Sequence, residues 1–265
     1  MDNQVKPSQK YTETTIRYKV KQNVSVCFQE KKALKTNFVF SIYQHKRKEK
    51  SLIWVVDKTY GSSYPTGNTY LDVIHDLEYY SYPIAVEVDF YGSLLNMVNH
   101  EGWFNQLKKS TEKFVTVSDN AADLRKQYLE IAENENKFFK NKTKEPFWNL
   151  LFFSPLGYKE GIESEDTIQW HIKTIGQVIC KGKVKYNITD KGLKITFIAE
   201  NFVSEEILKV ITEKYQRTSS NYKIQLLITM EYHSQKYHYI KKTAGFNLYD
   251  NDFLLFEEKI TIDQE

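Results

Sequence analysis

The sequence predicts an α+β protein: a mostly antiparallel β-sheet, curved or partly closed, made from two β-rich halves with a helical hairpin between them. Three observations carry this. The flanks alternate apolar and polar residues with period two, as a half-buried strand requires. The middle of the chain changes to the spacing of an amphipathic helix. Nineteen tyrosines and sixteen phenylalanines stand against ten glycines and five prolines, a balance that favours strands over loops.

Met1 to Tyr11 is polar and reads as a tail. From Thr15 to Val26 the residues Ile16, Tyr18 and Val20 alternate with Arg17, Lys19 and Lys21, which predicts a strand. Phe38–Tyr43 and Leu52–Val56 are two more, and the basic run His45–Lys50 between them reads as a hairpin tip. Gly61–Asn68 is a loop without the glycine spacing or the lysine of a phosphate cradle. Asn68 or Thr69 caps a short helix bearing Leu71, Ile74 and Leu77. Tyr79–Pro83 then leads into a strand over Ile84–Tyr91.

The helical block begins after a turn-like stretch at Asn96–His100. Trp103, Phe104, Leu107 and Phe114 share one helical face, with Lys108, Lys109 and Glu112 on the other. Ser118 or Asp119 caps a second helix, whose stripe is Ala121, Leu124, Tyr128, Ile131 and Phe138. Pro146 suits the first position of a last helical turn holding Phe147, Trp148, Leu150 and Leu151.

In the second half the strands are placed at Ile168–Ile172, Gln177–Val184, Leu193–Ala199, Tyr222–Tyr232, Tyr237–Lys242, Phe246–Tyr249 and Phe253–Ile262. Thr189–Gly192 is a hairpin turn whose glycine takes positive φ. Ser204-Glu205-Glu206 opens a short helix with its acids at the positive end of the dipole. The connector Lys159–Asp166 is short, and either half alone would expose sheet edges. The expectation is therefore one structure over 1–265, with a first half at 12–100, the helical insert at 101–157 and a second half at 166–265. Its order of elements resembles the layout of bacterial β-rich proteins, a resemblance that rests on no shared motif.

No reaction is written in the motifs. Glu87 and Asp89 share a strand face and are weak candidates for a general acid and base of a hydrolase or isomerase. Residues i and i+2 on a strand lie about 6.5–7 Å apart, too far for one cation to bridge well. His171 and Cys180 are candidates for a Cys–His pair, which only the fold could assemble. Asp250-Asn251-Asp252 begins like a calcium loop but lacks its glycine and closing glutamate, so it reads as a turn. His233 and His238, five apart on a strand, would point to opposite faces. No metal and no cofactor is expected.

The 37 basic and 34 acidic residues leave a net charge of +3, too even to favour nucleic acid. No apolar run is long enough to span a bilayer, and the start lacks an apolar leader core, so a cytoplasmic protein is expected. Cys27 and Cys180 read as buried free thiols. These exclusions leave a non-catalytic binding or assembly protein with a protein partner, of the secretion-accessory or immunity type. The alternative is a carrier of an apolar ligand in an aromatic-lined concave sheet. The aromatic candidates for binding are Trp103, Phe104, Trp148, Tyr79, Tyr80 and Tyr82.

Overall fold

The computed structural model describes residues 16–29, 32–46, 52–60, 69–89, 94–116, 118–153, 163–172, 175–189, 192–215, 221–233 and 239–265. The expected tail, the tips at 47–50 and 234–236, the loop at 61–68, the first half of the charged connector and the turn residues Asp190 and Lys191 lie outside them.

The alternation at the start becomes β1 (Ile16–Gln29), with Tyr18 and Val20 buried and Arg17, Lys19 and Lys21 exposed. It is followed by β2 (Lys32–Lys46), β3 (Leu52–Tyr60), the helix α1 (Thr69–Tyr80), β4 (Ile84–Val88) and β5 (Leu94–Met97). After the helical block come β6 (Ser164–Ile172), β7 (Gly176–Thr189), β8 (Gly192–Phe202), α6 (Glu205–Tyr215), β9 (Tyr222–His233), β10 (Tyr239–Asp250) and β11 (Phe253–Gln264). Among the described residues these strands form one antiparallel sheet in the order β5-β4-β3-β2-β1-β11-β10-β9-β8-β7-β6. The chain enters mid-sheet, steps outward to β5, crosses through the helices to the far edge at β6, and steps back until β11 pairs with β1. The first and last strands are thus neighbours, and the Glu265 N–H donates to the Arg17 carbonyl at 2.9 Å.

The sheet rolls. Trp170 on β6 donates through Nε1 to Glu258 on β11 at 2.9 Å, although five places separate the strands. A flat sheet would hold them about 24 Å apart. Trp54 on β3 likewise reaches Tyr239 on β10, four places away, with ring centroids 6.2 Å apart. No rung joins β5 to β6, so the sheet stays open.

The mid-chain helical region is divided more finely than a two-helix hairpin. It runs through α2 (His100–Ser110), a 3-10 turn at Glu112–Val115, α3 (Asp119–Ala132), α4 (Glu135–Lys142) and α5 (Pro146–Phe152). Ser118 caps α3, accepting from the Ala121 N–H at 3.2 Å, and Pro146 opens α5. The second expected helix breaks at Asn134, whose side chain accepts from the Lys137 N–H at 3.0 Å and starts α4 as a separate element. Helical periodicity continues through such a cap, so the break was hidden from a stripe count. Three strand-level expectations also change. Tyr79 and Tyr80 finish α1 and do not lead into β4. The stretch read as a turn at Asn96–His100 contains the end of β5, and the turn is confined to Val98 and Asn99, the latter at φ 54°. Of the stretch expected at Tyr237–Lys242, the described residues from Tyr239 onward belong with Phe246–Tyr249 to the single strand β10, because Gly245 continues the ladder between Leu227 and Lys259.

The helices cover both free edges. At β5 the Met97 N–H donates to Glu135 Oε1 of α4 at 2.6 Å, and at β6 the Gln169 carbonyl accepts from Asn149 Nδ2 of α5 at 2.9 Å. Unpaired edge groups invite a foreign strand, and these side chains answer them. The core lies inside the roll, where α5 presents Phe147, Trp148, Leu150 and Leu151, all almost fully buried. Phe147 stacks on Phe40 of β2 at 4.3 Å, and Trp148 donates to the Tyr82 hydroxyl at 3.2 Å.

Candidate functional site

Glu87 points away from the buried side of β4 and accepts from Asn96 Nδ2 at 3.3 Å; Asp89 follows one residue beyond the strand. Both are half-buried. His171 pairs with Gln177, while Cys180 pairs with Ile168 on the same ladder. Residues 168, 170 and 172 of β6 are buried, so Cys180 shares their inner face and His171 lies on the opposite one. The structure therefore does not bring those two together. Cys180 is a free, fully buried thiol that burial pushes up to about 12, which makes it a poor nucleophile at neutral pH.

Four of the six aromatic candidates are packing residues. Phe104, Trp148 and Tyr82 are buried, and the half-buried Trp103 packs its ring tilted against Phe138, centroids 4.8 Å apart, while donating to the Ser81 carbonyl at 2.7 Å. Tyr80 is half-buried and accepts from the Lys113 ammonium at 2.8 Å; Tyr79 is 43% exposed.

The inner face does gather charge, at the two ends of α5. Before its first turn, Lys142 contacts Glu145 at 3.1 Å and Glu78 at 3.7 Å, and Lys58 contacts Glu78 at 3.0 Å. Burial by itself pulls the Lys142 ammonium down, but Glu145, the Tyr82 and Tyr128 phenols and Glu78 together raise it well above the usual lysine range. Beyond its last turn, the Lys242 ammonium donates to the carbonyls of Leu150, Leu151 and Phe153 at 3.3, 2.9 and 3.1 Å. Burial lowers Lys242 to about 7. Sequence reasoning passed over Lys242, which looks like a solvent residue between polar neighbours; the only signal was its place on the inward phase of β10 with Ala244 and Phe246. These ions hold a helix in place, and among the described residues no group of carboxylates, histidines and cysteines is arranged to hold a metal.

The outer face of the second half offers a different surface. A groove of about 720 Å³ crosses β6, β7 and β8, lined by Glu165, Asp166, Thr167, Lys181, Gly182, Lys183, Ile198, Glu200 and Asn201. Gly182 is required where the strands close up, since a Cβ there would stand 2.3 Å from the Ile198 carbonyl oxygen. Around the groove stand Ile179, Ile198, Phe202 and Leu227, exposed by 51, 44, 68 and 48%. Ile198 and Leu227 are cross-strand partners. Apolar side chains grouped on an outer face and rimmed by lysine and glutamate have the composition of a contact surface.

No family model matches this chain, and no curated protein matches it. Among solved structures, one of lipovitellin that concerns its lipid–protein interactions is similar over 95% of this chain, with 10% identical residues and a TM-score of 0.45. The chain spans 25% of that one. No helix among the described residues is long and apolar enough to cross a membrane.

Proposed function

We propose that this chain is a binding protein that engages a protein partner through the outer face of β6–β9, acting as one unit over its two β-rich halves. The observation that supports this is the set Ile179, Ile198, Phe202 and Leu227 around a charged groove. Each half-exposed large side chain on a sheet face leaves apolar area in water, and covering it is worth roughly 25 cal/mol per Å². The inner face supports this reading from the other side. Its aromatic lining is already met by α5, so a cargo there would have to displace Phe147, Trp148, Leu150 and Leu151. The titratable groups inside hold one another or the helix ends, and Cys180 stands on the opposite face of the β6–β7 ladder from His171.

A photo-crosslinking residue at Ile198, compared with one at the exposed Leu95 on β5, tests the assignment in cells of the native organism. A discrete crosslinked protein from position 198 alone, lost on Leu227→Asp, is the expected result. Equal crosslinking from both positions, or indifference to Leu227→Asp, would overturn it.

A further inference from the structure

The β7–β8 ladder stops before either strand does. Its last rung on this side is Gly182 with Ala199, yet β7 reaches back to Gly176 and stays paired to β6 throughout, while β8 runs on to Phe202 paired to β9. The two strands therefore diverge in mid-sheet, and among the described residues no strand joins β7 over 176–181 on that side. At the fork the Lys181 N–H is accepted by the Asn201 side-chain oxygen at 2.8 Å, in place of a strand carbonyl. Because Lys181 faces the gap, so do the main-chain groups of Ile179 and Gln177, while Cys180 and Val178 are committed to β6. The helix α6 packs on β7, and its Ile207 and Ile211 are buried in the main core.

We propose that an extended segment of the partner enters this fork as an added strand, hydrogen-bonding to the main chain of Gln177 and Ile179. The inference rests on the reading of the outer face as a protein-binding surface and names how the partner is held. Three features converge on it: an interrupted ladder, two large exposed apolar side chains on the strands that flank it, Ile179 and Phe202, and a groove that includes Gly182 on the same strands. Strand addition draws affinity from main-chain bonds and specificity from alternate side chains. Here the outward side chain beside Ile179 and Phe202 must be apolar. Lys181 points outward two residues further along β7, so a carboxylate is the complementary side chain two residues earlier in an antiparallel segment. The segment thus reads acidic, any residue, apolar.

The probe is a displayed library of random dodecapeptides, selected on the full chain and counter-selected on Ile179→Pro. That substitution deletes one amide facing the gap at a position where an edge strand tolerates proline, and near-ultraviolet circular dichroism checks its fold. Enriched peptides with the acidic–any–apolar alternation are expected. Synthetic copies methylated at the two amides that face β7 should bind at least roughly tenfold more weakly. Amide exchange should slow at Gln177 and Ile179 on binding the unmethylated copies. No enrichment over Ile179→Pro, or binding that survives N-methylation, overturns the proposal. A partner crosslinked from position 198 and released by Leu227→Asp but not by Ile179→Pro keeps the outer-face reading and removes strand addition alone.

Discussion

The two ends of α5 are each held by buried lysine, and they solve the problem of a buried charge in opposite ways. At the first end, Lys142 and Lys58 share Glu78 and Glu145, so each ammonium has a carboxylate within 3.0 to 3.7 Å. At the other end, the partners of Lys242 among the described residues are the carbonyls of Leu150, Leu151 and the capping Phe153 and the Tyr239 ring, 4.6 Å from its nitrogen. Full countercharge outweighs desolvation and drives Lys142 up; carbonyl dipoles do not, and Lys242 falls to about 7. Both arrangements also match the helix dipole, with Glu145 at the positive end and Lys242 at the negative one. One end of the helix is therefore bound by charge at any ordinary pH, while the other is sensitive to pH near neutrality.

Removing the helix's own anchor erases the comparison and should have the largest effect. Trp148→Ala leaves a cavity inside the roll and is expected to cost about 3–5 kcal/mol in chemical denaturation. Glu78→Gln breaks the first end alone. It leaves Lys58 and Lys142 short of countercharge, and about 3 kcal/mol should be lost at pH 7.

Lys242→Met sharpens the contrast through pH. The folded-state value lies below the ordinary 10.5, so between 7 and 10.5 the unfolded chain holds a proton that the folded chain has released. Stability should therefore rise with pH across that window, by roughly 5 kcal/mol at most, and the burial cost should be fully present below 7. In Lys242→Met that slope should vanish from urea melts collected between pH 6 and 10, while Lys142→Met should leave it intact. An unchanged slope in Lys242→Met would show that the amine is not the titrating group. The smallest effect belongs outside the roll. Leu227→Asp touches neither end of α5 and should alter stability by no more than about 0.5 kcal/mol, which thermal melts can check.

Much of this fold was legible in the residues. The alternation of Ile16, Tyr18 and Val20 with Arg17, Lys19 and Lys21 named β1 and its buried face, because a strand repeats every two residues whatever it packs against. Ser118 and Pro146 marked helix starts for equally local reasons. The division between α3 and α4 at Asn134 was missed because a cap can sit inside an unbroken stripe. Of the candidate site, the sequence offered Trp103, Phe104, Trp148 and Tyr82 as binding aromatics, and three-dimensional packing buries the last three and half-buries Trp103. Ile198 and Leu227 gave no warning, since an outward isoleucine is indistinguishable from an inward one until the phase of β8 and β9 is known.

What the sequence determined by itself was local: which stretches extend, which coil into helices, and which side of each is apolar. Only the tertiary structure decided that the sheet rolls far enough for Trp170 to reach Glu258, that α5 lies inside it, and that β7 and β8 part beyond Gly182. Those outcomes depend on contacts between residues tens to hundreds of positions apart, whose energies appear only when the whole chain has closed around them.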